Sequence, residues 1–272
     1  MKLPVYNLEG KQSGEIDVGQ SLSMPIRLEV INRCFLAEQS LLRHPYGTDY
    51  FAGKRTSAHY HGERGTRYSM MNKEMARLRR IHGNQGYLSM TARFSPQAVK
   101  GRAAHPPKSE KVWTLKVNKK ERNLGLLSSL SASSNKSLVI NRGYKIPENL
   151  TVFPIVVDDR LQEIKNTKQL KNVLLSFGLE NEMARSSEKK VRAGGGKSRG
   201  RRYKKKKGPL IIVKEDKGLL KAARNLAGFD SSLSKNLTVT MMAPGGQPGR
   251  LLILTKSALQ DLMELKENRG SF

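Results

Sequence analysis

Apolar positions along the chain fall into short strand-like runs alternating with helical periods, and the alternation breaks twice. Leu3 to Leu8 predicts a first strand, ended by Glu9-Gly10. Ser23 then reads as a helix N-cap with Pro25 in the first turn. Ile26, Val30, Ile31, Phe35, Ala37, Leu41 and Leu42 recur at helical spacing until Pro45 stops the run after His44. A second helix is predicted over Lys119 to Ser134, ended by Asn135. Val152 to Val157 predicts a buried strand in which Pro154 favours an edge or a bulge. Thr167 to Phe177 and Gly218 to Leu226 predict helices closed by Gly178 and Gly228. Leu210 to Val213, Leu237 to Met242 and Leu251 to Leu254 predict strands, and Ser257 to Lys266 a last helix. Short apolar strands between helices imply an α/β fold: one globular domain over residues 1–272, with a mostly parallel sheet flanked by helices.

The first break runs from residue 44 to residue 111. No apolar period survives there for more than a few residues. A structureless stretch this long is unusual in a compact domain and points to function, or to order gained on binding. It holds all five histidines of the chain: His44, His59, His61, His82 and His105. The second break, residues 189–207, carries 11 Lys or Arg and no acid. Charge now changes the picture. Residues 43–111 have a net +10 and residues 189–207 a net +11, which leaves +6 of the total +27 on the other 184 residues. A nearly ordinary domain therefore carries two strongly basic inserts, and the matching partner is a polyanion.

Several classes are excluded. No run approaches the ~18 apolar residues of a membrane span. The N-terminal stretch lacks the apolar core of a secretory signal. Cys34 stands alone, so no internal disulfide or multi-cysteine metal site exists. It falls in an apolar helical pattern as a small buried hydrophobe. The string GGGKS (Gly194 to Ser198) has a phosphate-loop look, but the required glycine five residues before Gly196 is Val191, and a charged, helix-like stretch (Glu180 to Arg192) precedes it instead of a strand. His59 and His61, with His82 or Glu63, could bind a metal. Scattered over an insert without cysteines, they read better as contacts to bases or phosphate, so no metal site is assigned. Asp158-Asp159 follows a strand, where catalytic acids often sit, and reads better as a helix-approach cap. No catalytic residue is assigned.

The inserts read instead as RNA-binding. In Arg192 to Lys207, Arg199, Arg201 and Arg202 can fork onto phosphates, glycines allow close backbone approach, and Tyr203 can stack on a base. In the longer insert Tyr46, Tyr50, Phe51, Tyr60, Tyr68, Tyr87 and Phe94 interleave with Lys54, Arg55, Arg64, Arg67, Arg77, Arg79, Arg80 and Arg93 at no core-like period. That mixture suits stacking and phosphate contact on irregular RNA. The alternative is a nucleotide- or metabolite-binding α/β enzyme with nucleic-acid-binding inserts.

The strings HPYGTDYFAGKRTSAHYHG (His44 to Gly62), MMNKEMARLRRI (Met70 to Ile81), ARFSPQAVKGRAAHPPKSEKVW (Ala92 to Trp113), VRAGGGKSRGRRYKKKKGPLIIV (Val191 to Val213) and EDKGLLKAARNLAGFD (Glu215 to Asp230) resemble the ribosomal protein four family of the large subunit, in its archaeal and eukaryotic form and closest to the archaeal branch. The resemblance spans nearly the whole chain. It implies a structural constituent of a cytoplasmic large ribosomal subunit, without catalysis or cofactor, any magnesium being held by ribosomal RNA. Its implied partners are large-subunit ribosomal RNA, neighbouring large-subunit proteins and the nascent peptide, with no membrane and no homo-oligomer. It also implies that the long insert threads through RNA, with a tip around Tyr68 to Gly86 at the peptide exit tunnel. The expected RNA contacts are Lys54, Arg55, His59, Arg64, Arg67, Arg93, Lys100, Arg102, His105 and Lys108 on the insert. On the basic segment they are Lys190, Arg192, Lys197, Arg199, Arg201, Arg202, Tyr203 and Lys204. The expected tunnel-lining residues are Met70, Met71, Lys73, Arg77, Arg79 and Arg80.

Overall fold

A computed structural model describes residues 2–18, 22–83, 86–147 and 149–267. The chain forms two compact units, residues 1–42 with 114–272, and residues 43–113. The first is an α/β unit around a six-stranded sheet. In chain order its first strands are β1 (Lys2–Tyr6), β2 (Gln12–Asp17) and β3 (Ile155–Val157). A separate pair of short strands follows, β4 (Lys189–Val191) and β5 (Tyr203–Lys205), and then β6 (Leu210–Val213), β7 (Asp230–Leu233) and β8 (Leu252–Thr255) return to the main sheet. The sheet order is β2-β1-β3-β8-β6-β7. Only the β1–β2 hairpin is antiparallel, so the sheet is mostly parallel.

A parallel sheet needs cover on both faces, and the period-two alternation of its strands supplies two cores. Ile155, Val157, Ile211, Val213 and Ile253 face one, with Leu170, Val173 and Leu174 of α4 (Thr167–Ser176) and Leu219, Ala222 and Ala223 of α6 (Leu219–Arg224). Val156, Leu210, Ile212, Leu252 and Leu254 face the other, with Ala258, Leu259 and Leu262 of α8 (Lys256–Glu267). All four residues of β6 are completely buried, each contributing about 1.5–3 kcal/mol of transfer free energy. Among the described residues no helix is long and apolar enough to cross a membrane.

Several boundaries differ from the sequence-based expectation, each for a tertiary reason. Helix α1 spans Leu28–Leu41, so Ser23 and Pro25 lie in its non-helical approach. That approach is held by serines of α2 (Lys119–Ser134): Ser131 Oγ donates to the Leu22 and Met24 carbonyls (2.8 and 2.6 Å), and Ser128 Oγ accepts the Arg27 N–H (2.7 Å). The two helices pack closely because Gly125 faces Cys34; a Cβ there would stand 3.1 Å from Sγ. Cys34 is buried, and burial raises its pKa, as expected for a hydrophobic filler. Pro154 stands just before a central strand, where it removes no ladder hydrogen bond, and not on an edge.

Leu237 to Met242 is not a strand. It contains the short helix α7 (Val239–Met242), whose first N–H groups at Val239 and Thr240 donate to the Glu38 carboxylate (3.1 and 2.7 Å) while Thr238 Oγ1 accepts from Met241 (3.3 Å). The strand of that region is the polar β7. Asp159 caps α8, accepting from Ser257 N–H at 3.0 Å.

A guanidinium lies in the core. Arg250 is about 1% exposed and reaches the Gly208 (3.0 Å), Met241 (2.6 Å) and Pro209 (3.4 Å) carbonyls and the Asp230 carboxylate (2.6 Å). Burial alone would raise the Asp230 pKa, but Arg250 and Lys207 hold it below its ordinary 3.8. Its stabilising contribution is therefore complete above that ordinary value and lost as pH falls through the lower folded value. Arg250→Met should destabilise the α/β unit by about 3 kcal/mol, since it takes the buried donor from the Met241 carbonyl and leaves Asp230 to Lys207 alone. A urea midpoint unchanged from wild type would refute this. In Asp230→Asn the acid-side loss of stability should be smaller, which a pH series of melts would show.

Candidate nucleic-acid interface

The basic segment 189–207 is a hairpin on the α/β unit. Helix α5 (Glu180–Ser187) ends one residue before β4, and β4 pairs antiparallel with β5. So a strand, not a continued helix, precedes Gly194. The turn Gly195–Arg199 is a short 3₁₀ helix flanked by Gly194 (φ 80°) and Gly200 (φ 79°). Lys189 faces Lys205 and Lys190 faces Lys204 across the ribbon, and Val191 faces Tyr203. Like charges placed directly opposite destabilise a strand pair. Lys190, Arg192, Lys197, Arg199, Arg201, Arg202, Tyr203 and Lys204 are all exposed. Among the described residues the hairpin's ion pairs sit at its root: Lys206 with Glu188 (2.5 Å) and Lys207 with Asp230 (3.0 Å).

That root is built from the core. Glu182 of α5 is completely buried and accepts from Nε and Nη2 of Arg185 (2.7 and 2.6 Å). Arg185 donates onward to the Lys207 carbonyl (2.9 Å) and stacks over Tyr144, whose hydroxyl donates to the Gly208 carbonyl (3.3 Å). The ion pair with Glu182 raises the Arg185 pKa, and burial raises that of Tyr144. Arg250 takes the same Gly208 carbonyl.

The 43–113 unit has little regular structure, but it is ordered by side chains. Trp113 stacks on Tyr46 (5.5 Å) and lies under Arg43 and Lys111 (3.9 and 4.3 Å). Lys54 covers Tyr50 (4.1 Å), Arg79 covers Phe94 (4.3 Å) and Arg67 covers Tyr68 (5.0 Å). Arg55 pairs with Asp49, which lies below its ordinary pKa because of that bond. Arg80 donates to the Met90 and Ala76 carbonyls (2.8 and 2.9 Å), and Arg93 to Val99 (2.9 Å). Many predicted contact residues thus brace the unit itself. Tyr87, 91% exposed, is the aromatic ring most open to an external partner.

The expected tip divides in the same way. Met70 is 2% exposed and packs inside the unit. Lys73, Arg77 and Arg79 are exposed, and Met71 and Arg80 are half-buried. Asn84 and Gln85 lie outside the described residues. Arg64, Lys100, His105 and Lys108 are exposed, and Arg102 is half-buried.

His59, His61 and His82 converge, with ring centroids 4.3–4.6 Å apart, so of the two partners that the sequence offered for His59 and His61 it is His82 that joins them. Burial and the two neighbouring imidazoles keep His61 below its ordinary pKa of 6.5, so it is neutral at pH 7.

The profile of the ribosomal protein L4/L1 family matches residues 16–265. The chain belongs to that family. It is 44% identical over 271 residues to the large ribosomal subunit protein uL4 of Nanoarchaeum equitans, covering 98% of this chain and 99% of the relative. It is 37% identical to the protein of the same name from Methanosphaera stadtmanae (99% of each chain) and 38% identical to that from Haloquadratum walsbyi (97% of this chain, all of the relative). Membership makes the chain a structural ribosomal protein of archaeal type and removes the enzyme alternative. Within residues 43–113, Gly53 packs against Gly101, whose carbonyl oxygen would stand 2.4 Å from a Cβ on Gly53. A Cβ on Gly101 would stand 1.9 Å from the Ser95 carbonyl oxygen. Gly101→Val should loosen the 43–113 unit alone. Limited proteolysis should then cut within it faster, with the helical signal of the α/β unit unchanged; an unchanged digestion pattern would count against this packing.

Proposed function

We propose that the chain is a structural constituent of the large ribosomal subunit in the cytoplasm, and that it binds large-subunit ribosomal RNA through the 189–205 hairpin and through the 43–113 extension. The observation that carries the reading is the pair of lysine–lysine cross-strand contacts, Lys189–Lys205 and Lys190–Lys204, on an exposed ribbon. Such a ribbon repels itself until an anion lies along it, and phosphate is the anion its Arg199, Arg201 and Arg202 forks fit. The exposed Arg55, Arg64, Arg67, Lys100, His105 and Lys108, with half-buried Lys54, Arg93 and Arg102, extend the same chemistry along residues 43–113. The ribosomal resemblance supports assigning the exposed Lys73, Arg77 and Arg79 to the wall of the peptide exit tunnel, with neighbouring large-subunit proteins beside them.

The test is affinity for large-subunit ribosomal RNA across salt, against an unrelated structured RNA of equal length. Preference for the ribosomal RNA with a steep salt slope is expected, and equal affinity for both would sink the ribosomal-RNA reading. Replacing Arg199, Arg201 and Arg202 together by alanine should flatten the log–log slope by about 2–3, at ~0.7–0.9 per phosphate contact. Deleting Arg64 to Gly86 should leave the α/β unit folded and disturb tunnel assembly. Loss of the α/β unit's cooperative melt on that deletion would show that the extension is not a separable insert.

A further inference from the structure

RNA contact accounts for exposed cations, but it leaves unexplained why three imidazoles turn toward one another. His59 and His61 lie on one segment, and His82 lies on the segment that returns beside it. The two segments meet at a bridge in which the His59 N–H donates to the Arg80 carbonyl (3.2 Å) and the Arg80 N–H to the His59 carbonyl (3.1 Å). One ring nitrogen from each histidine lies within 4.8 Å of those of the other two.

Two of the rings each have one nitrogen already committed. His59 Nδ1 lies 3.0 Å from the Ser57 carbonyl oxygen, and His82 Nε2 lies 3.2 Å from the His59 carbonyl oxygen. A carbonyl accepts, so those nitrogens donate, and His59 Nε2 and His82 Nδ1 are left for another partner. His82 Nδ1 is buried and has no hydrogen-bond partner. A buried polar atom without a partner is costly and calls for an explanation. Tyr68, held at φ 68°, lies over the His82 ring at 5.0 Å and limits its movement. An imidazole that rests one ring nitrogen on a backbone carbonyl presents the other to a metal, and that support orients histidine as a ligand.

We propose that His59, His61 and His82 form a zinc site that fastens the segment 57–61 to the segment 80–82 at the base of the tip. Three imidazole ligands match zinc, and magnesium, which demands oxygen ligands, does not fit them. Tetrahedral coordination with bonds of ~2.0–2.1 Å needs donors roughly 3.3 Å apart, so the rings close inward by about an ångström or more. The fourth position stays open to an oxygen ligand. The site would replace, by covalent-like ligation, the regular hydrogen-bond ladder that this unit lacks, and it needs no RNA to form.

The experiment uses the full-length chain stripped of metal by a chelator. Titration with cobalt(II) should show one equivalent taken up with the strong visible absorption of a tetrahedral site, bleached by zinc and unaffected by excess magnesium. Competition against a chromophoric chelator should show zinc affinity lowered by at least about 100-fold in each of His59→Ala, His61→Ala and His82→Ala, and unchanged in His44→Ala. Zinc should also protect residues 57–82 from limited proteolysis in the wild type and not in His61→Ala. No cobalt uptake by the wild-type chain would overturn the proposal. So would zinc binding that survives the double replacement of His61 and His82.

Discussion

The α/β unit turns on one buried guanidinium. Arg250 gathers the carbonyls of Gly208, Pro209 and Met241 and the carboxylate of Asp230, and so ties the start of β6 to the start of β7. A charge so deep is stable only while every partner is in place. The demand has a use here. Gly208 and Pro209 are also where the chain leaves the basic hairpin, and Arg185 and Tyr144 converge on Lys207 and Gly208 from the other side. The hairpin is therefore anchored by neutral carbonyls and by two paired guanidiniums, and its own lysines are spared for an external anion. Lys206 and Lys207 are the exceptions, consumed in ion pairs at the root.

Charge segregation explains the rest of the architecture. The strands β3, β6 and β8 are completely buried and carry no charge, so the sheet folds as in any α/β protein. The cations lie outside it, where repulsion is screened by solvent until a polyanion neutralises them. In the 43–113 unit the same problem is met differently. Arginines and lysines are spread over the faces of Trp113, Tyr50, Tyr68 and Phe94, and Arg80 and Arg93 donate to carbonyls. Cation–π contacts of ~0.5–1 kcal/mol at exposed sites are individually modest, but they replace the apolar core that the sequence of this unit cannot build.

What could be read from the sequence follows the same division. Buried strands and amphipathic helices were legible because burial writes a period into the residues: β6 and α2 fall where the pattern put them, and α4 to within one residue. The polar strands β2 and β7 were not, because QSGEID and DSSL pair by backbone alone and carry no apolar alternation. α7 was misread as a strand because its helix is imposed by Glu38, about two hundred residues away in sequence. The buried face of α2 was invisible for a related reason: Ser128, Ser129, Ser131 and Ser133 are buried, satisfied by local and distant carbonyls, and read as polar. The exposed cations of the hairpin were legible from charge alone; the sequence offered His82 and Glu63 equally as a third partner for His59 and His61, because the chain reversal that selects His82 is not encoded in composition.

The internal bracing of the extension changes what its charge means. Counting cations treats each Lys and Arg of residues 43–111 as a phosphate contact. The structure spends Arg80 and Arg93 on backbone carbonyls and Arg55 on Asp49. A guanidinium has five donors, so carbonyl binding leaves some of them free, but it fixes the direction in which they point. The stacked cations are fixed too, each held over one ring face. The extension is thus less a flexible counter-ion than a shaped one. Its affinity for RNA should owe less to the number of charges than to prior ordering of the side chains that carry them, because side chains already held in place lose less entropy when RNA closes over them.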